Sequence, residues 1–377
     1  MSADLGSPRH LDSSGPAPYA VTVLAPLGDP EARTDLERPE AAVLEVFNAV
    51  ARLTQVAGRA PTQVVPVRRK EQPVPYGARR RSVEMLDATT LEDVADALAD
   101  DAPRVVHAVG WEAGVVAVAV RQSNVTPEGI ANSVVVLEPL GAPGSPEWSL
   151  ADHAAALVVQ SETDRRSSLR HGIAAGLLHV VPPAAPRCPV DLATDGPFER
   201  GAVLAVVGDG LDGWVLDVVE RILRASADVH VVFAGRAGRD SRERLHARVV
   251  RSWSPAMSAR VHASALVTWP LLAQVDGVVD ICTPPSVPRA ALAAMSASRP
   301  VLALGDSPAA DVVDHGQTGL CLTGPDPSRL AAGIGRVAGN GELLRRLGRA
   351  GRERWAGEHA PHVRAERLAA VYDEVAD

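Results

Sequence analysis

Arginine supplies nearly all the cationic chemistry this sequence can offer, because Lys70 is its single lysine among 38 basic residues. Basic side chains gather in one proline-broken loop, Arg68-Arg69-Lys70 and Arg79, Arg80 and Arg81 around Pro73, Pro75 and Gly77. Such a segment either serves as a solvated spacer or faces an anion, here a phosphorylated or carboxylated acceptor or an anionic membrane surface. Glycine turns follow apolar runs at Gly208-Asp209-Gly210 and at Gly235-Arg236, an ordinary strand–turn–helix pattern in which backbone N–H groups can face a phosphate. Pro285-Ser286-Val287 opens an Ala-rich helix whose N-terminus can hold an anion, with Arg289 in its first turn and Arg299 just beyond its end. His107 lies within V-V-H-A-V, so a core histidine and a proton-transfer group are both open readings. Cys188, Cys282 and Cys321 are too dispersed for a disulfide framework or a metal site, and read as free thiols. No metal is implied.

The elements that must carry these residues alternate between strands and helices. From Asp280 to Leu304 the chain reads as the end of a strand, a proline-broken loop, a helix from about Val287 to Ser298 and a returning strand, Val301 to Leu304. A parallel crossover of this kind sets the helix N-terminus at the carboxyl edge of the sheet, where α/β proteins bind ligands. Apolar runs at Tyr19–Ala25, Val64-Val65, Arg104–Ala108, Ser133–Leu137 and Ala156–Gln160 predict one α/β half. Those at Ala202–Val207, Val229–Ala234 and the 280–304 unit predict another. The expected organisation is a disordered tail over 1–18, a first Rossmann-like domain over 19–186, a proline-rich linker over 187–200 and a second such domain over 201–360. A last helix over 361–377 then crosses back to the first domain. Leu368, Val371, Tyr372 and Val375 form its apolar stripe.

A chain of 377 residues with 46% hydrophobic content can build two cores. Its net charge of -8 argues against nucleic acid as a general partner. The N-terminus lacks the apolar segment of a signal peptide and no run approaches the ~20 residues of a membrane span, so a cytoplasmic location is expected.

Several landmarks in chain order resemble the family 4 retaining glycosyltransferases of the GT-B fold. Ala294-Met295 and Pro300-Val301 are similar to the end of that family's E-P-F-G-L-x-x-x-E-A-M-A-x-G-x-P-V segment. His315-Gly316-Gln317-Thr318-Gly319-Leu320 is similar to its D-G-x-T-G-L turn, and Val105-Val106-His107-Ala108 to its D-V-V-H-A-H. The resemblance implies two Rossmann-like domains facing across a cleft and a nucleotide-sugar ligand. In that cleft Gly28, Gly208, Asp209, Gly210, Gly235, Arg236, Pro285, Ser286, Val287, Arg289 and Ala293 would line the donor pocket.

The family neutralises the donor diphosphate with an Arg and a Lys after the first strand of the second domain, and uses two glutamates spaced E-x7-E. Here the stretch from Gly201 to Glu220 has neither Arg nor Lys, and Asp209 stands about where the Arg belongs. Pro285 and Ala293 occupy the two glutamate positions, and no glutamate lies between Glu243 and Glu342. Val109 stands at the family's second histidine. Removing one group that stabilises developing charge costs ~10²–10³ in rate. The residues therefore point to a GT-B protein that has lost donor chemistry and acts as a non-catalytic or weakly active partner of an active glycosyltransferase. An active transferase with a rebuilt site, using Arg236, Arg289 or Arg299, is the alternative. An α/β hydrolase or epimerase lacks support, since no G-x-S-x-G elbow is present.

Overall fold

The computed structural model describes residues 21–25, 46, 49, 63–66, 98, 103–122, 133–189, 201–208, 213–235, 253–283, 287–324 and 326–376. Outside them lie the tail, Gly28, Arg79, Arg80, Arg81, Asp209, Gly210, Arg236, Pro285, Ser286 and the linker beyond residue 189.

The described chain builds two parallel sheets. The first is ordered β2-β1-β3-β4-β5-β6. Its strands are β1 (Val21–Ala25), β2 (Gln63–Pro66), β3 (Val105–Val109), β4 (Val134–Glu138), β5 (Ala156–Val159) and β6 (Leu178–Val180). Among the helices, α1 (Gly110–Gln122) follows β3 and α2 (Glu162–Arg170) follows β5. Every residue of β3 and β5 is buried, which is why these runs show no alternation in the sequence.

The second sheet is ordered β12-β11-β10-β7-β8-β9. It comprises β7 (Val203–Val207), β8 (His230–Ala234), β9 (Val261–Ala263), β10 (Gly277–Asp280), β11 (Val301–Leu304) and β12 (Gly319–Leu322). The helices α3 (Gly213–Ala225), α4 (Trp269–Gln274), α5 (Arg289–Ser296), α6 (Pro327–Ala338) and α7 (Gly341–Arg354) cover it. The strand order reverses between β7 and β10, so the crevice beyond their carboxyl ends is the topological switch point of this half. Gly208 and Ile281 meet there so closely that a Cβ at Gly208 would run into the Ile281 side chain.

A final helix, α8 (Pro361–Ala376), places Ala365, Leu368, Val371 and Tyr372 in one cluster with Val21, Val105 and Val158 of the first sheet. The chain passes between the halves twice, and the two passages lie side by side. Ala185 N–H donates to His359 O at 3.2 Å, and the Trp355 indole N–H donates to Ala185 O at 3.3 Å. Val181, Ala184, Ala185 and Cys188 are buried, so the start of the proline-rich passage is packed rather than free. Proline sets its extended path without needing backbone donors.

The three cysteines form no disulfide, and Cys188 and Cys282 are buried. Among the described residues no helix is long and apolar enough to cross a membrane.

Candidate functional site

The carboxyl edges of the two sheets enclose a cavity of about 690 Å³. The first half contributes Pro139–Gly141, Trp148 and Gln160–Asp164 to its wall. Val287, Pro288, Gly305–Pro308 and Asp311 come from the second, and Pro182, Pro183, Arg354, Glu358 and His359 from the two passages between them.

Local sequence fixes much of this wall. Ser161 caps α2, accepting from Asp164 N–H at 3.0 Å while its hydroxyl donates to the Asp164 carboxylate at 2.8 Å. Glu162 and Asp164 occupy the first turn, where the helix dipole favours negative charge. Opposite them, Ser307 caps the 3-10 turn Pro308–Asp311 and donates to buried Asp280 at 2.5 Å. The Thr163 hydroxyl then donates to Asp311 Oδ1 at 3.0 Å, joining the two walls. Burial raises the Asp164 pKa, and the nearby Asp311 charge raises it further.

The charged groups on the described lining are Glu162, Asp164, Asp306, Asp311 and Glu358 against Arg166 and Arg354. Arg354 is already engaged by Asp314 and by Glu358, the latter at 3.3 Å. His359 is 3% exposed, and its Nδ1 lies 3.0 Å from Pro183 O. A carbonyl only accepts, so the proton is assigned to Nδ1 and Nε2 presents its lone pair. Burial lowers the pKa of this imidazole and keeps it neutral. The wall is thus rich in acceptors and negative in formal charge.

Behind it lies a second polar group, fully enclosed. His107 is 0% exposed in the middle of β3, with Nδ1 2.6 Å from the Tyr372 hydroxyl and Nε2 3.6 Å from Glu138. Glu138 accepts from Arg364 at 2.6 Å and from Gln160 at 3.0 Å, while Arg364 also donates to Val181 O and Pro182 O at 2.6 Å each. Burial alone would raise the Glu138 pKa, but Arg364, His107 and Arg289 bring it below its ordinary value. Burial pushes His107 down to about 4 against the attraction of Glu138. A neutral, enclosed imidazole holding α8 to β3 has no access to a reacting atom, so His107 is a structural group.

Of the other sequence-selected residues, Val287 lines the cavity and Gly208 packs at the switch point. Gly235 closes β8 with φ 66°, and Arg289 stands behind the wall, close enough to act on Glu138. Ala293 is 1% exposed and belongs to the core cluster with Leu272, Val278 and Val301, not to the cavity wall. The cause is that α5 is buried on every side from Ala290 to Ser296. Arg299 lies at the opposite edge of the second sheet, donating to Leu272 O and Ala273 O beside Asp276 in a separate cavity of about 530 Å³. The residues missed in the sequence were Glu138, the carboxylates of the cleft and His359. Their one local signal is a charge ending the apolar run V-V-V-L-E at Glu138. Among the described residues no group of three or more His, Cys, Asp or Glu could hold a metal ion.

Residues 202–340 match the family model described as "Glycosyl transferases group 1". No curated protein matches the chain. Among solved structures, HepE of Anabaena in complex with UDP and glucose shares 16% identity at a TM-score of 0.66, over 94% of this chain and 100% of that one. Sucrose-phosphate synthase from Thermosynechococcus elongatus shares 16% at 0.65, over 95% and 99%. The apo form of the lipopolysaccharide outer core galactosyltransferase WaaB shares 12% at 0.69, over 94% and 99%. Together the solved structures show the GT-B fold, and the family-model match falls within its second half.

Proposed function

We propose that this chain is a GT-B glycosyltransferase-type protein, related to the retaining family 4 enzymes, whose cleft has lost the chemistry of nucleotide-sugar transfer. It acts as a non-catalytic or weakly active partner in a glycosylation pathway, in the cytoplasm. The carrying observation is the charge on the cleft wall, where among the described residues Glu162, Asp164, Asp306, Asp311 and Glu358 outnumber Arg166 and Arg354. A diphosphate entering the cleft meets like charge. Two unit charges 8 Å apart interact by about 2 kcal/mol at an effective dielectric of 20. Repulsion from several carboxylates together is therefore of the size of ordinary binding energies.

Two further observations support this reading. HepE was solved with UDP and glucose on this fold, which supports reading the cleft as a former nucleotide-sugar site. The helix α5 nevertheless offers no carboxylate between Arg289 and Ser296, and Ala293 is closed in the core. Arg299, one candidate replacement cation, serves the far edge of the sheet.

The test is hydrolysis and transfer with UDP-, GDP-, ADP- and TDP-sugars, using the full chain purified free of any partner. Turnover is expected to be absent or far below the ~1–10³ s⁻¹ of ordinary enzymes. Turnover in that ordinary range with any one donor would overturn the proposal.

A further inference from the structure

The cavity of about 530 Å³ in the second half is lined by Ala202, Val229, Asp276 and Pro300, each just before a strand, so it opens at the amino edge of the sheet, away from the cleft. Its floor is set by the turn between α5 and β11. Ser298 ends α5 with φ 58°, and Arg299 N–H reaches back to Ala294 O at 2.8 Å. Gly348 of α7 lies against Ser298 O where a Cβ would clash, so α7 forms the facing wall. The turn directs Arg299 beneath the sheet, where Nε donates to Leu272 O at 3.0 Å and Nη2 to Ala273 O at 3.1 Å. Those bonds fix the guanidinium but leave Nη1 without a partner, on a side chain 5% exposed that lines the cavity. Nη1 is not among the polar atoms closed off from solvent, so a ligand in the cavity can reach it. A buried arginine ordinarily meets a carboxylate, and this one does not.

Three further charges line the same space. Asp276, 3% exposed, accepts from Val203 N–H at 2.7 Å, and burial pushes its pKa up to about 6 against that bond and the Arg299 charge. Asp228 and Arg345 are exposed at the rim, where α7 begins at Gly341 with the positive end of its dipole. No ion pair joins any of these four groups to another charge among the described residues. An anion or a cation alone would therefore meet like charge as well as opposite charge, whereas a zwitterion can satisfy both signs. We propose that this cavity binds a free amino acid with a large apolar side chain. The carboxylate accepts from Arg299 Nη1 and faces Arg345, and the ammonium group faces Asp228. Hydrogen bonds between such ionised partners are about twice as strong as neutral ones. The side chain lies along Val229, Ala338 and Leu344. The volume of about 530 Å³ is in the range of ~300–1,000 Å³ usual for small-molecule sites.

The probes are L-phenylalanine, L-leucine and L-tryptophan, each with its counterpart lacking the amine and its counterpart lacking the carboxylate. For phenylalanine these are 3-phenylpropanoate and 2-phenylethylamine. Calorimetry on the full chain should show at least one amino acid binding at least about tenfold tighter than both of its counterparts, a difference of ~1.4 kcal/mol. Asp228→Asn should remove most of the advantage over the counterpart that lacks the amine. Replacing Arg299 would also uncap α4, so the second variant is Ala225→Trp, at the exposed end of α3 on the cavity rim. It should abolish binding without loss of melting temperature. Failure of all three amino acids to bind, equal binding of either counterpart, an advantage that survives Asp228→Asn, or binding that survives Ala225→Trp overturns the inference. Each of these results leaves the reading of the cleft as it stands, because the two cavities lie at opposite edges of the sheet.

Discussion

Two polar regions lie within a few residues of each other in this protein and treat charge in opposite ways. Around Glu138 each charge has an opposite partner. Arg364 meets the carboxylate at 2.6 Å and spends its remaining donors on Val181 O and Pro182 O, while His107 is kept neutral beside the Tyr372 hydroxyl. On the cleft wall the carboxylates outnumber the arginines among the described residues, and Asp164, which accepts from the Ser161 hydroxyl, faces the like charge of Asp311. The enclosed group holds α8 to the first sheet, whereas the cleft wall carries a standing electrostatic imbalance. A fold tolerates such an imbalance where water or a ligand can reach it, and rarely where neither can.

The largest effect should come from breaking the balanced region. Arg364→Met leaves Glu138 buried and unpaired, and should cost ~3–5 kcal/mol of stability by chemical denaturation. Adding Glu138→Gln should recover part of that loss, because no uncompensated charge remains. A loss as small as that of a surface substitution would show that the pair does not fasten α8.

A smaller effect is expected for Tyr372→Phe, which removes the hydroxyl partner of His107 and should cost ~1–3 kcal/mol. The same histidine gives the region a pH signature. Its pKa is about 4 when folded against an ordinary 6.5, so between these values the unfolded chain binds a proton that the folded chain does not. Stability should therefore rise with pH across that window and be lost as pH falls through it. His107→Gln should flatten this part of the profile in urea titrations at a series of pH values.

The smallest effects on stability belong to the cleft. Asp306→Asn and Asp311→Asn should each change stability by no more than ~0.5 kcal/mol, since both side chains are exposed and neither carries an ion pair among the described residues. Asp311→Asn should also lower the Asp164 pKa, by removing the neighbouring charge, measurable by NMR titration. Destabilisation comparable to that of Arg364→Met would erase the contrast between the two regions.

The sequence discloses these regions unequally, for physical reasons. β11 and the helix before it stand out because an apolar run, a proline and an Ala-rich stretch follow in close order, and the observed strand is Val301–Leu304. β6 and β9 escape notice because each is three residues long, too short to show a period. The absence of glutamate between Glu243 and Glu342 needs no structure to be seen. Glu138 and Arg364 are 226 positions apart and Thr163 and Asp311 148 apart, so only the folded chain reveals either pairing. Ala293 shows the converse error, since a motif position suggested a pocket where packing makes a core.

The sign of the salt dependence of UDP binding tests the central claim most directly. Calorimetry on the full chain across a range of ionic strength should give weak affinity that does not fall, and rises slightly, as salt screens the carboxylates around the cleft. Tight binding that weakens steeply with added salt would mean that cations dominate the site, and would contradict the account.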